Sequence, residues 1–142
     1  MEEIVVDASV IVKWFVVEEL REKALGIRDD FIEGRIRLNA PALMPFEVLN
    51  ATKHGHRDID SRALGEISES LGLYGIKLYN LEGEYAKETV QAALDNSLTI
   101  YDASYIALAK YLQTTVYTSD SNLIRSVRDN YRIYVRSLED YK

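Results

Sequence analysis

Short β-branched runs alternate with longer segments of helical periodicity along almost the whole chain. Residues 3–6 read as a strand that ends at Asp7, and 8–17 follow as a helix because neither Gly nor Pro interrupts them. In 18–33 apolar residues recur at helical spacing (Leu20, Ala24, Ile27, Phe31), with Gly34 as the stop. Residues 36–38 form a second strand, and Pro41 and Pro45 bracket the start of a helix reaching Gly55. Asp60 caps a further helix through Leu71, closed by Gly72 and Gly75. Residues 76–79 give a third strand and 82–96 an amphipathic helix. The most apolar helix spans 98–113, where Ile106, Ala107, Leu108 and Ala109 demand burial on several sides. A fourth strand at 115–118, a short helix at 122–129 and a last strand at 133–135 complete the pattern. Strands alternating with helices predict an α/β fold: one domain over 1–142, with a mostly parallel central sheet flanked by helices on both faces. Such sheets bind ligands at the carboxyl ends of their strands.

The length of 142 residues, 47% of them apolar, suits one hydrophobic core. The longest apolar stretch, 8–17, is broken by Lys13 and is too short to span a bilayer, and Met1-Glu2-Glu3 lacks the basic leader of a signal peptide. A soluble, cytoplasmic protein with no membrane partner is therefore expected. With no cysteine, disulfides and thiolate metal sites are excluded, so any metal must sit on oxygen or imidazole. A formal charge of −6 argues against a protein that coats nucleic acid non-specifically, since phosphate binding is driven mainly by Lys and Arg. One bound divalent cation would bring that balance to −4 and two to −2, which weakens the objection without removing it.

Four acids stand at the places a parallel sheet gathers to one edge. Asp7 follows three apolar residues at the end of the first strand, where an ionised carboxylate at the rim of the core needs a compensating partner. Asp120 follows Val116-Tyr117-Thr118 in the same way, with the hydroxyls of Thr118 and Ser119 beside it for an ion or a phosphate. Glu47 and Asp102 lie in first helical turns. Taken singly, each has a plain structural role: Asp7, Asp102 and Asp120 suit helix caps, and the helix dipole favours Glu47 by roughly 0.3 to 1 kcal/mol. Taken together, four carboxylates with no Cys or His among them suit a hard cation, Mg2+ or Mn2+, rather than zinc. His54 lies two turns beyond Glu47 on the same helix, with Asn50 between them, and is expected to face solvent. Lys13 either reaches a phosphate or runs along apolar surface, and Trp14 and Phe15 are core candidates.

The chain resembles the PIN-domain nucleases, and within them the VapC toxins of type II toxin-antitoxin pairs. The matching stretches are Asp7-Ala8-Ser9-Val10-Ile11-Val12-Lys13-Trp14-Phe15, then Ala40-Pro41 through Glu47-Val48-Leu49-Asn50, then residues 98–109 around Tyr101-Asp102-Ala103-Ser104, and Thr118-Ser119-Asp120-Ser121-Asn122-Leu123. The resemblance implies that Asp7, Glu47, Asp102 and Asp120 are the catalytic and metal-binding acids, with Ser9 and Thr118 as supporting groups. It implies a metal-dependent endoribonuclease acting on RNA, a homodimer, and a small antitoxin that blocks the pocket. Some members carry a further acid just past the last aspartate, where Ser121 and Asn122 stand here, so a full second metal site does not carry over. A dehalogenase-type phosphatase would need a second aspartate at position 9, which is Ser9, and a receiver domain would need paired N-terminal acids. The alternatives are a degenerate RNA- or protein-binding module on the same fold, without catalysis, or another metal-dependent phosphohydrolase.

Overall fold

The computed structural model describes residues 1–142. Its strands are β1 (Glu2–Val6), β2 (Ile36–Pro41), β3 (Lys77–Tyr79), β4 (Val116–Thr118) and β5 (Val135–Ser137). They form one sheet in the order β3-β2-β1-β4-β5, with every neighbouring pair parallel. The helices are α1 (Ala8–Phe15), α2 (Arg21–Ile32), α3 (Met44–Gly55), α4 (Ser61–Tyr74), α5 (Gly83–Asn96), α6 (Ile100–Tyr111) and α7 (Ser121–Ser126).

The strand order fixes where a ligand can enter. From β1 the chain steps outward through β2 to β3, then returns to place β4 on the other side of β1. Right-handed crossovers put α1 to α4 on one face and α5 to α7 on the other. The order reverses between β1 and β4, which pair Val5 with Val116 and Val6 with Tyr117. Open parallel sheets bind ligands outside the carboxyl ends of strands at such a reversal. Asp7 lies at that edge, with its backbone N–H donating to Tyr117 O at 3.0 Å.

Burial follows the layers. Ile4, Val5 and Val6 of the central strand are inaccessible, and so is every residue of α6 from Ala103 to Ala109. The helix α6 packs between α5 and strands β1 and β2, which is why its apolar residues show no single stripe. No helix is long and apolar enough to cross a membrane.

Several boundaries differ from the expected ones: β2 runs on to Pro41 past residue 38, α1 stops at Phe15 short of 17, and α6 spans Ile100–Tyr111 within 98–113. Helix α2 begins at Arg21 and not at residue 18, because Leu20 takes a left-handed turn at φ 63° just before it. Helix α4 runs through Gly72 to Tyr74 and stops at Gly75, whose φ of 70° gives the left-handed cap that only glycine adopts cheaply. The last strand lies at Val135–Ser137 and not at 133–135, and the helix before it ends at Ser126 rather than near 129. Residues Asp129–Tyr134 instead form a 3-10 turn, pinned by buried Tyr131, whose hydroxyl donates to Asp95 Oδ2 at 2.8 Å. Ile133, which looked like part of the strand, is 71% exposed.

Candidate functional site

Asp7 connects β1 to α1 in an extended conformation, and its side chain does not cap the helix. Its Oδ2 instead accepts hydrogen bonds from Ser9 Oγ at 2.6 Å and Thr118 Oγ1 at 2.9 Å. Those hydroxyls are themselves held in place. Ser9 Oγ accepts from the Ser119 backbone N–H at 3.1 Å, and Thr118 Oγ1 accepts from the Asp120 N–H at 3.0 Å. Ser9 and Thr118 therefore lock the turn after β1 to the end of β4, and fix the orientation of the Asp7 carboxylate. Only 9% of Asp7 is exposed. Burial pushes its pKa above the ordinary carboxylate value, against the pull of the Ser9 and Thr118 hydrogen bonds, and the nearby Asp102 charge adds to the rise.

The cap role holds at Asp120 and fails at Asp102. Asp120 Oδ1 accepts from the backbone N–H groups of Asn122 at 3.0 Å and Leu123 at 3.2 Å, so one oxygen anchors the start of α7. At α6 the capping group is Thr99, whose Oγ1 accepts the Asp102 N–H at 3.1 Å. The pKa of Asp102 is raised, first by burial and then by the negative charge of Asp120, against the pull of the Thr99 hydroxyl.

Glu47 enters from the first turn of α3. Its Oε1 accepts from the hydroxyl of Tyr105 at 2.6 Å. Burial raises its pKa, the Tyr105 hydrogen bond opposes that, and the charges of Asp7 and Asp102 raise it further. The four acids expected from the sequence thus form an electrostatic row, in which Asp7 and Glu47 feel Asp102 and Asp102 feels Asp120. Tyr105 was not expected. Its position three residues beyond Asp102 puts it on the same helix face, the one available sequence signal, yet an aromatic among Ile, Ala and Leu reads as core.

None of the four acids forms an ion pair with a lysine or arginine. A partly buried group of like charges with no cationic side chain favours an external cation, and an all-oxygen donor set suits Mg2+ or Mn2+. No three acids or histidines stand close enough to make a ready ligand cluster. Magnesium keeps several waters and takes substrate phosphates as ligands, so it does not require all four carboxylates to bind it directly.

Other candidate residues fall outside this row. Asn50 is exposed and lines an open groove of about 540 Å³ with Leu43, Phe46, Glu47 and Tyr101. Ser119 contributes its backbone N–H to Ser9. His54 and His56 are exposed at the far end of α3 and make no hydrogen bond to the four acids. Lys13 is buried and pairs with Glu18 at 3.3 Å. Trp14 is core, its Nε1–H donating to Ala24 O at 2.9 Å.

Comparison with known proteins gives a consistent picture. A PIN-domain family profile matches residues 4–129. Over 126 residues the chain is 32% identical to ribonuclease VapC3 of Pyrobaculum aerophilum, covering 84% of this chain and 91% of that protein. Its fold is similar to that of FitAcB from Neisseria gonorrhoeae, with a TM-score of 0.66 at 17% identity, covering 96% and 99% of the two chains. A toxin-antitoxin complex from Klebsiella pneumoniae gives a TM-score of 0.62 at 15% identity, covering 95% of this chain and 97% of that one.

Proposed function

The chain belongs to the PIN-domain family, and from that premise we propose that it is a metal-dependent endoribonuclease serving as the toxin of a toxin-antitoxin pair. The observation that carries the reading is the row of four acids without a basic partner, set at the point where the strand order reverses. Asp7, Glu47, Asp102 and Asp120 are the groups that would hold Mg2+ or Mn2+. The chemistry such an ion supplies is polarisation of the phosphoryl oxygen and acidification of a water for in-line attack. The chain's own work is positioning. Ser9 and Thr118 orient Asp7, the first amides of α7 hold Asp120, and Thr99 caps the helix that carries Asp102. Asn50 and Ser119 flank the pocket as supporting groups.

The substrate is RNA, the relevant compartment is the cytoplasm, and residues 1–142 act as one ribonuclease domain in a homodimer. The name of the VapC3 relative and the complex from Klebsiella support the ribonuclease and antitoxin parts of this reading. An arginine of a small antitoxin is the natural blocker, because a guanidinium pairs bidentately with carboxylates and replaces the cation's charge. Brief expression of the chain alone, followed by sequencing of RNA ends, tests the proposal. Discrete new ends that disappear on coexpression of the neighbouring reading frame are expected. Ends identical to those left by Asp7→Asn would overturn it in favour of a binding module without catalysis.

The histidines have no part in this chemistry. His54→Ala and His56→Ala are each expected to leave the cleavage rate within a few-fold of the parent. A hundredfold loss, about 2.7 kcal/mol, would place a general base on α3.

A further inference from the structure

Tyr105 is a buried polar side chain from outside the four acids that donates a hydrogen bond to Glu47, as Thr118 does to Asp7. Tyr105 is 1% exposed, and its hydroxyl meets Glu47 Oε1 at 2.6 Å. One phenol on α6 therefore reaches across to the first turn of α3, 58 residues away in the chain. We infer that Tyr105 is a positioning residue, which holds Glu47 in the orientation that receives the metal ion. The inference rests on the metal-site reading above and goes beyond it, because it assigns a role to a residue outside the carboxylate set.

The argument is one of preorganisation. Glu47 has three rotatable side-chain bonds and is only half-buried, and the like charges of Asp7 and Asp102 lie near it. A carboxylate so placed turns toward water unless something holds it. Tyr105 can hold it, being fixed by close packing on every side and presenting a single O–H donor. With Oε1 engaged by the phenol, Oε2 is the atom left for a cation. Outer partners of this kind orient metal-binding carboxylates, and their loss typically costs roughly 10- to 100-fold in metal affinity.

The test is calorimetric titration of Mn2+ into the metal-free full-length chain, run on the parent, Tyr105→Phe, Glu47→Gln and the double variant. Tyr105→Phe is expected to weaken Mn2+ by about tenfold, to keep most of the cleavage rate at saturating Mg2+, and to add little on top of Glu47→Gln. A rate lost equally at every metal concentration would overturn the positioning role. So would Mn2+ affinity within twofold of the parent in Tyr105→Phe when Glu47→Gln is weakened, a result that leaves the metal reading standing. If neither variant changes affinity, both readings fall together. Should Tyr105→Phe not fold, the tyrosine absorption difference on adding Mg2+ decides. It is expected in the parent and absent in Glu47→Gln, and its absence from the parent would overturn the inference.

Discussion

Asp7→Asn is expected to lower the cleavage rate by roughly a thousandfold, about 4 kcal/mol of transition-state stabilisation, without weakening the metal-free fold at pH 7. The two halves of that expectation have one cause. Burial and mutual repulsion hold the carboxyls of Asp7, Glu47 and Asp102 above their ordinary values of 3.8 for Asp and 4.5 for Glu. A group whose folded pKa is raised gives its full stabilising contribution below the unfolded pKa, and loses it as pH rises through the folded one. At pH 7, above the unfolded values, these carboxyls in the metal-free pocket therefore work against folding. Asn keeps a carbonyl to accept from Ser9 or Thr118 while removing the charge that burial penalises. In excess EDTA the variant is expected to melt at the parent's temperature or above it, and to gain less on adding Mg2+ because it binds the ion less well. Melting several degrees below the parent would mean that the Ser9 and Thr118 hydrogen bonds matter more to the fold than the charge costs it.

The placement of the four acids was legible because they sit at punctuation marks of the fold. Asp7 and Asp120 each follow an apolar strand, and Glu47 and Asp102 each lie in a first helical turn. A parallel sheet collects those positions, so their number along the chain already implied their neighbourhood in space. Their division of labour was not legible. Asp7 and Asp120 share the context of strand, Asp, helix, yet only Asp120 caps its helix. The difference comes from Ser9 and Thr118, 109 residues apart, whose hydroxyls capture the Asp7 carboxylate once β1 and β4 pair. Tyr105 was hidden for a similar reason, since its partner Glu47 lies 58 residues away on another helix.

The fold shows the same split between local and distant causes. Gly75 was readable as a helix stop because its left-handed backbone is a local requirement, and Gly72, with no such requirement, passes unnoticed inside α4. The last strand was placed early because Ile133-Tyr134-Val135 carries a β-like run of side chains. What moved it was tertiary: the buried ring of Tyr131 and its bond to Asp95 hold Asp129–Tyr134 in a turn, and Val135 is the first residue that reaches Val116.

Removal of the divalent cation is the second large effect expected, and it follows from charge alone. Without a basic side chain among its contacts, the acidic pocket repels a phosphodiester as strongly as it repels itself, so the metal-free chain has neither a way to bind the reacting phosphate nor a group to activate water. The direct measurement is cleavage of an end-labelled structured RNA by the purified chain in excess EDTA, followed by stepwise return of Mg2+ or Mn2+. The account predicts background rates in chelator, recovery that saturates with added metal, and no recovery in Asp7→Asn. Cleavage that persists undiminished in excess chelator would contradict it.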